Sequence, residues 1–341
     1  MRGVLNVNKP SGITSYDVIR RLKPVLDTRQ LGHAGTLDPL ATGVLLVLVN
    51  EATKVADYLQ MLDKEYRAEV RLGIRTDTDD MTGQTIEEKP VGDVRADAVE
   101  AILARFRGEI EQTPPAFSAV KVAGDRSYRL ARKGEAPEHK PRLVTVHELE
   151  LVGLRMAAER SGLRGQGLGE KDGDFRMQDA ECRMQNTGQS ADQWPVLTLR
   201  AKVSRGTYIR ALARDIGAAL GCGATLQSLV RTRVGAFTVQ DAVLLDAPDI
   251  VRRLIPIGTA LSFLPNATVK ADAVGRLRSG QALANDEVRL TNDDCGNVAR
   301  EELLNRCGSP IVVQDEAQRV LVIARYTDGK LRPKRGIYAD A

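Results

Sequence analysis

The chain has 341 residues, 43% of them hydrophobic and only 4% aromatic, which is enough for two domains, or one large domain and a module, with aliphatic cores. Its formal net charge of +4 is mildly basic and favours an acidic partner only weakly. No run of 18 apolar residues occurs, and the first residues lack the apolar region and cleavage site of a signal peptide, so neither a membrane span nor export is predicted.

The first predicted elements are a strand and a capped helix. Residues 3–10, "GVLNVNKP", are typical of a short strand that ends at its proline. Residues 14–26, "TSYDVIRRLKPVL", predict a helix whose first turn is closed by a capping box between Thr14 and Asp17.

The next segments again alternate between strand and helix patterns. The unbroken apolar run 44–49 indicates a strand covered on both faces, and a short helix is expected over 51–60. Residues 65–72, "EYRAEVRL", alternate between apolar and charged side chains, which predicts a half-buried strand. An acidic turn, "TDTDDMTG", follows at 76–83.

Farther along, an amphipathic helix is expected over 96–108, ended by its glycine. Strands are predicted around 116–122, over 142–154 and over 196–204, and a helix follows at 206–220. This loose alternation, with several apparent hairpins, favours an α+β fold with a mixed, largely antiparallel sheet flanked by helices.

Two changes in composition divide the chain. Residues 155–194 are rich in glycine and charged residues and have almost no aliphatic periodicity, so we expect a flexible surface insertion. A second break near 255–268 separates a first domain over 1–258 from a small β-rich module over 259–341. Short strands are predicted in this module within "GRLRSGQAL", "RVLVIARYT" and "GIYA".

The segment 32–49, "GHAGTLDPLATGVLLVLV", places Asp38 in a tight, glycine-rich loop directly before a buried strand. Asp-Pro favours a turn, and an isolated aspartate of this kind is most often a turn or cap residue. A carboxylate at the mouth of an apolar strand is partly desolvated, however, and needs a nearby cation to stay ionised. An ionised but poorly hydrated carboxylate can act as a nucleophile, so Asp38 is a candidate catalytic residue.

Four further side chains have both a structural and a functional interpretation. Tyr66 lies on the apolar face of its predicted strand and either belongs to the core or stacks on a flat substrate. Arg210 lies in a predicted helix and is either exposed or the cation that keeps Asp38 charged. Lys9 is either exposed or contacts a phosphate, and His33 either bonds to loop backbone or lies beside the nucleophile.

Basic residues cluster in "LRAKVSRGTYIRALARD" at 199–215, and Arg231 and Arg233 extend the cluster. Such clusters usually form a solvated face. They are also what a surface that contacts phosphates requires.

Several classes of site are excluded by their missing motifs. The sequence contains no phosphate-loop, serine-hydrolase or zinc-peptidase motif. The chain has only three histidines, at positions 33, 139 and 147, so a metal site built on histidines is not expected. The four cysteines form no C-x-x-C pair and are typical of reduced thiols in a cytoplasmic protein. They are Cys182, Cys222, Cys295 and Cys307.

The motif "GHAGTLDPLATGVL" at 32–45 resembles the catalytic motif of pseudouridine synthases of the TruB family, which modify the uridine at position 55 in the T loop of tRNA. Other segments resemble the family in order and spacing: "GVLNVNKPSGITSYDV", "KEYRAEVRLGIRTDTDDMTG", "GEIEQTPPAFSAVKVAGDRSYRLARKG" and "SRGTYIRALARDIGAALGCGATLQSLVRTRVG". The final module is similar to a PUA domain, which implies RNA binding. Relative to the family, residues 155–194 are an insertion.

The resemblance implies a role for each matching residue. Asp38 falls on the catalytic aspartate, and Arg210 falls on the arginine paired with it. Tyr66 falls on the tyrosine that stacks on the target base and helps to remove a proton. His33 falls on the histidine that takes the place vacated by the flipped nucleotide.

Lys9 and Leu229 match a lysine and an apolar active-site residue of the family and complete the candidate substrate-binding set with His33. The implied reaction needs no redox change or energy input, so no cofactor is expected. The implied partner is tRNA through its T stem-loop, with no membrane and no obligatory protein partner. A cytoplasmic monomer is expected.

Two other functions remain open. A guide-RNA-dependent synthase of the dyskerin type shares the catalytic core and a PUA domain. A protein that only refolds tRNA would bind it without catalysis, although the intact set of Asp38, Tyr66 and Arg210 argues against that. Activity on a bare T stem-loop would distinguish these functions.

Overall fold

The computed structural model describes residues 1–118, 121–122, 125–127, 139–156, 194–284, 287–290, 309–327 and 330–337. The helices are α1 (Ser15–Val25), α2 (Ala56–Met61), α3 (Ala96–Ala104), α4 (Ile209–Ala219), α5 (Ile257–Ala260) and α6 (Ala271–Arg278), with 3₁₀ turns at Asn50–Val55 and Ile250–Arg253. The strands up to the middle of the chain are β1 (Gly3–Lys9), β2 (Leu31–Ala34), β3 (Thr42–Val49), β4 (Lys64–Leu72), β5 (Ile74–Thr76), β6 (Thr85–Glu88), β7 (Gly108–Gln112), β8 (Lys121–Val122), β9 (Asp125–Arg126) and β10 (Arg142–Arg155). The later strands are β11 (Val196–Val203), β12 (Ala224–Val234), β13 (Phe237–Thr238), β14 (Val243–Leu244), β15 (Asn266–Val269), β16 (Leu283–Ala284), β17 (Val288–Leu290), β18 (Pro310–Asp315), β19 (Val320–Thr327) and β20 (Lys330–Gly336).

Ten of these strands form one large sheet in the part of the chain that the structure describes. Its order is β14-β1-β3-β12-β4-β11-β10-β7, with β2 paired to β3 and β13 paired to β12. The β1–β14 and β3–β12 pairs are parallel, and the other pairs are antiparallel. The predicted α+β class with a mixed, largely antiparallel sheet is confirmed.

Helix α1 begins as its sequence predicts. The Thr14 hydroxyl accepts a hydrogen bond from the Asp17 amide at 3.0 Å, and the Asp17 carboxylate accepts one from the Thr14 amide at 3.0 Å. This capping box satisfies amides that the first helical turn leaves without partners. The buried face of α1 includes Val18, Ile19 and Leu22, which pack in the main core.

Strand β3 is buried on both faces, as its apolar run predicts. Leu45 and Val47 belong to the core beneath α1, whereas Val44 and Leu46 belong to a second apolar cluster on the opposite face. That second cluster also contains residues of the C-terminal region, among them Ile323. The strand that follows the Asp38 loop is therefore held between two cores.

The C-terminal region contains a second sheet, with the order β16-β20-β19-β18-β15-β17. A further core of its own lies between this sheet and α6, and includes Leu277 and Val322. The separation of the chain at residue 258 into two domains stays a prediction. Of the helices in the described part of the chain, none is both long enough and apolar enough to cross a membrane.

Some predicted elements are wrong in type or extent. Helix α3 ends at Ala104, and Gly108, with a φ of +86°, instead begins β7. Of the strand predicted around 116–122, the described residues 116–118 are not in a strand, and 121–122 form β8, which pairs with β9 and not with the large sheet. The first half of the helix expected at 51–60 is a 3₁₀ turn.

In the C-terminal region, the strand predicted in "GRLRSGQAL" is wrong for most of its length: its first four residues end helix α6, and only its last residue lies in β16. The strand predicted in "RVLVIARYT" is confirmed as β19. Most of the predicted insertion, 157–193, lies outside the described residues, as do the last two residues of "GIYA".

Candidate active site

A cavity of about 450 Å³ opens beside the Asp38 loop. Its walls, within the described residues, include Asp38, Lys64, Tyr66, Arg210, Leu229 and Arg231. The three residues predicted to be catalytic thus share one cavity, although they lie far apart in the sequence.

The loop that carries Asp38 joins β2 to β3. These strands form a hairpin in which His33 pairs with Val47 and Ala34 pairs with Leu46. Because β3 is buried on both faces, the start of the strand is fixed. The Asp38 side chain is 38% exposed and lines the cavity.

Arg231 supports the strand side of this loop. Its guanidinium is buried and donates to the carbonyls of Val44 at 2.7 Å, Gly35 at 3.1 Å and Thr36 at 3.4 Å. The backbone of β12 also approaches Gly43, which has a φ of +96°, so closely that a Cβ there would lie 2.3 Å from the Arg231 carbonyl oxygen. Only glycine fits at position 43 without strain.

Lys9 and Ser15 support the opposite side of the loop. The Lys9 ammonium donates to the Pro39 carbonyl at 3.3 Å and to two carbonyls of its own N-terminal segment at 2.7 and 2.9 Å. The Ser15 hydroxyl donates to the Leu37 carbonyl at 3.0 Å and accepts from the Leu37 amide at 2.8 Å. The loop backbone is therefore fixed on both sides before any substrate binds.

The buried Lys9 gives a testable pH dependence of stability. Burial lowers the pKa of its ammonium from 10.5 to about 8, with Asp38 opposing that shift and Arg231 adding to it. Between these two pH values, the unfolded chain binds more protons at this position than the folded chain does. The free energy of unfolding of the wild type should therefore rise relative to that of Lys9→Met, by on the order of 2 kcal/mol, as the pH rises from about 8 to about 10.5. Urea denaturation of both proteins across this pH range measures the difference, and a constant difference would contradict the prediction.

Arg210 is the cation that the Asp38 carboxylate needs. Its Nε donates to Asp38 Oδ2 at 2.9 Å, and its Nη1 and Nη2 donate to the carbonyls of Thr78 at 2.8 Å and Phe117 at 2.9 Å. The side chain is only 5% exposed, and its Nε also lies 3.6 Å from Asp80 Oδ2. The interpretation of Arg210 as an exposed helical arginine is therefore wrong.

Asp80 is a second, buried carboxylate beside the Arg210 guanidinium. It lies in the acidic turn after β5, and its side chain is 6% exposed. Its Oδ1 accepts hydrogen bonds from the Thr82 amide and the Thr78 hydroxyl, both at 2.9 Å. An isolated bridge to Leu226 joins the turn to the main sheet. The turn thus presents one carboxylate and one carbonyl to Arg210.

Tyr66 and Leu229 form the apolar wall of the cavity. Tyr66 lies on the buried face of β4, between Ala201 of β11 and Arg231 of β12. It belongs to the main core and also lines the cavity, so the structural and functional interpretations are both compatible with the structure. Leu229 lines the cavity on the neighbouring strand.

The structure separates His33 and Lys9 from this group. His33 is half-buried in β2 and is not part of the cavity wall. Lys9 is completely buried against carbonyl oxygens, so its interpretation as an exposed residue is wrong, and its contacts indicate support of the loop. Substrate contacts by His33 and Lys9 stay predictions.

The walls of the cavity are rich in cations. Lys64, which donates to the carbonyls of Gln60 and Leu62, has its pKa lowered to about 8 by burial. Together with Arg205, Arg210 and Arg231 it lines the cavity that Asp38 enters. This charge pattern suits a polyanionic ligand that must approach a single carboxylate.

Three residues of this site escaped the sequence analysis: Lys64, Asp80 and Arg231. The alternation of β4 could have predicted the position of Lys64, because Lys64 lies two residues before Tyr66 and hence on the same face of the strand. Nothing in the sequence except the acidity of its turn indicated that Asp80 lies at the site. Arg231 was assigned to a basic surface, whereas the structure buries it.

Comparison with known families gives two matches. Residues 23–164 match the model of the TruB family pseudouridylate synthase N-terminal domain, and residues 210–250 match the model of the tRNA pseudouridylate synthase B C-terminal domain.

Similar curated proteins cover most of the chain, and each of the three that follow is a tRNA pseudouridine synthase B. The protein of Thermobifida fusca is 42% identical over 82% of this chain and 83% of its own. The protein of Clostridium kluyveri is 37% identical over 84% of this chain and 86% of its own. The protein of Cupriavidus pinatubonensis is 37% identical over 98% of this chain and 94% of its own.

Solved structures share the fold at lower identity. A Cbf5-Nop10-Gar1 complex contains a chain with a TM-score of 0.64 and 24% identity, covering 98% of this chain and 85% of that one. An H/ACA RNP bound to a substrate RNA contains one with a TM-score of 0.63 and 22% identity, covering 99% of this chain and 85% of that one.

Proposed function

Since the chain belongs to the TruB family of pseudouridylate synthases, we propose that it converts the uridine at position 55 of the tRNA T loop to pseudouridine, with Asp38 as the catalytic carboxylate. Membership of the family makes the protein an isomerase that pseudouridylates tRNA. The choice of nucleotide and the roles of individual residues are our proposal.

The observation that carries the proposal is the pairing of Asp38 with Arg210 at the wall of a cavity that Tyr66 also lines. The pairing places a partly exposed carboxylate within hydrogen-bond distance of a buried guanidinium. A flat pyrimidine that enters this cavity would meet the carboxylate and the tyrosine ring together.

The proposed reaction is balanced within the nucleotide. The N1–C1′ bond breaks, the uracil turns, a C5–C1′ bond forms, C5 loses its proton and N1 gains one. The Asp38 carboxylate either attacks C6 of the base or assists departure of the base at C1′, and both routes are compatible with its position. In this proposal Tyr66, which lines the same cavity, stacks on the turned base and assists removal of the C5 proton.

The target base must leave its stack to reach Asp38, which costs on the order of a few kcal/mol. A base in a loop is a cheaper target than a base in a helix. Contacts of the cationic cavity wall with phosphates would offset part of this cost and make RNA binding dependent on salt.

We also propose that the C-terminal module, from residue 259 onward, is PUA-like and holds the RNA outside the cavity. Strands β19 and β20 expose basic side chains, including Arg325 and Arg332, which are opposite each other in the ladder, and Lys334. In this proposal the enzyme acts as a cytoplasmic monomer and needs no protein partner.

The test is to map pseudouridine in a T-arm transcript after incubation with the pure protein alone. We expect stoichiometric conversion of the uridine at position 55 and no conversion in a transcript with cytidine there. Conversion only after addition of a guide RNA and partner proteins would replace the proposal with the guide-dependent function. Binding and refolding of tRNA without any pseudouridine would indicate a folding protein.

A further inference from the structure

Helix α4 carries two arginines one helical turn apart, Arg210 and Arg214, and both reach the same two loops. Arg210 donates to the Thr78 carbonyl in the acidic turn and to the Phe117 carbonyl in the loop after β7. Arg214 donates to Asp79 in the same acidic turn and to the Thr113 carbonyl at the start of the same loop.

The contacts of Arg214 use all three of its nitrogens. Nη1 donates to Asp79 Oδ2 at 2.9 Å, Nη2 to the Thr113 carbonyl at 3.0 Å, and Nε to Asp215 Oδ1 at 2.9 Å. The Arg214 side chain is 24% exposed and the Asp79 side chain 14% exposed, so the pair is far less screened than a surface ion pair. Arg214 is not part of the cavity wall.

Asp79 has a backbone conformation that needs support. Its φ is +62°, in the left-handed region that aspartate and asparagine adopt more readily than most residues. Its carbonyl accepts from the Leu226 amide at 3.1 Å, and its neighbours Thr78 and Asp80 contact the Arg210 guanidinium. Burial raises the pKa of the Asp79 carboxyl, and Arg214 acts against this rise.

We propose that Arg214 and Asp79 are positioning residues: they hold the acidic turn and the loop after β7 against helix α4, so that the Arg210 guanidinium keeps its orientation toward Asp38. This inference rests on the proposed function, because it assigns these residues to the same reaction. The pair acts through Arg210, and neither residue needs to contact the RNA.

The test measures two quantities for the wild type, Arg214→Met and Asp79→Asn. They are the single-turnover rate at saturating RNA and the dissociation constant of the RNA. Asparagine keeps the left-handed backbone and removes only the charge. We expect each variant to lower the rate by about 10- to 100-fold, because small misplacements in a catalytic site have effects of this size. We expect the dissociation constant to change by less than about threefold, because the pair lies outside the cavity wall.

The double variant and a conservative variant sharpen the test. Since both single changes remove the same ion pair, the double variant should be no slower than the slower single variant. Arg214→Lys keeps a cation for Asp79 but loses the planar fork that also reaches Thr113, so its rate should be intermediate. If the fold-losses in rate of the two single variants multiplied in the double variant, the proposal would be overturned.

Arg107→Met is the matched control. Arg107 also bridges a carbonyl and a carboxylate, donating to the Leu149 carbonyl at 2.7 and 2.9 Å and pairing with Glu100, but it contacts neither loop. It should lower the melting temperature and leave the rate at saturating RNA unchanged. Equal rates for Arg214→Met and Arg107→Met would overturn the positioning role, as would a loss confined to RNA affinity.

Failure of the proposed function would look different. A wild type that forms no pseudouridine at position 55 but modifies another uridine refutes the choice of nucleotide, and the pair is then tested on that uridine. If the wild type is active at position 55 and both Asp79→Asn and Arg214→Met react at the wild-type rate, only the positioning role is refuted. If Arg214→Met does not fold, the Asp79→Asn rate decides the matter.

Discussion

Replacing Asp38 with asparagine should lower the single-turnover rate of pseudouridine formation in a T-arm RNA by at least about 10⁴-fold. Asparagine has nearly the same shape and still offers one oxygen to Arg210 Nε, which lies 2.9 Å from Asp38 Oδ2. It carries no negative charge and cannot act as a carboxylate nucleophile. The loop should keep its conformation, because Arg231, Lys9 and Ser15 hold its backbone and not its carboxylate.

RNA affinity distinguishes a chemical role of Asp38 from a structural one. We expect the dissociation constant of the T-arm RNA to stay within about threefold of the wild-type value, and the loss to appear in the rate at saturating RNA. Asp246→Asn, at an exposed carboxylate away from the cavity wall, is the control and should retain the full rate. A wild-type rate in Asp38→Asn would remove this residue from the mechanism and the proposed function with it.

The local elements of this protein could be predicted because their signals lie within a few residues. The capping box of α1 needs only Thr14 and Asp17, and the two-sided burial of β3 follows from an unbroken apolar run. The alternation of β4 also placed Tyr66 on the buried face. The need of a desolvated carboxylate for a cation made Arg210 one candidate partner of Asp38, and the resemblance to the family implied that pairing.

Strand β12 could not be predicted, because two irregularities interrupt its alternation. The register with β4 shifts between Leu226 and Ser228 and again between Arg231 and Arg233. Such bulges turn side chains to the other face, so the pattern of period two is lost. One consequence is that Arg231 is buried in β12, whereas its basic neighbours suggested a solvated surface.

The supports of the site were missed for a different reason. Arg231 donates hydrogen bonds to carbonyls of residues nearly 200 positions earlier in the sequence. Asp80 lies beside Arg210, although the two residues are 130 positions apart in the sequence. Backbone carbonyls have no side-chain identity, so no residue type in the sequence marks them as partners. Such contacts are known only once the fold brings the segments together.

Arg210 lies between two carboxylates, so its removal should affect stability and catalysis through different partners. Asp38 is 38% exposed and can be partly hydrated, whereas Asp80 is 6% exposed and has little access to water. Removing one partner of a buried ion pair costs about 3–5 kcal/mol, because the other charge stays buried. Most of the lost stability should therefore come from Asp80, and most of the lost rate from Asp38.

Arg210→Met should lower the single-turnover rate by about 10³-fold and the free energy of unfolding by about 3 kcal/mol. Adding Asp80→Asn should restore part of the stability, because it removes the buried charge that methionine leaves without a cation. It should not restore the rate, since Asp38 still lacks its guanidinium. Arg253→Met, which breaks an exposed ion pair with Asp249 at 2.8 Å, is the control for loss of an arginine and should change neither quantity appreciably. Urea denaturation and single-turnover assays on all four proteins measure the two effects separately. If Asp80→Asn restored the rate along with the stability, Arg210 would act on folding alone and not on the carboxylate in the cavity.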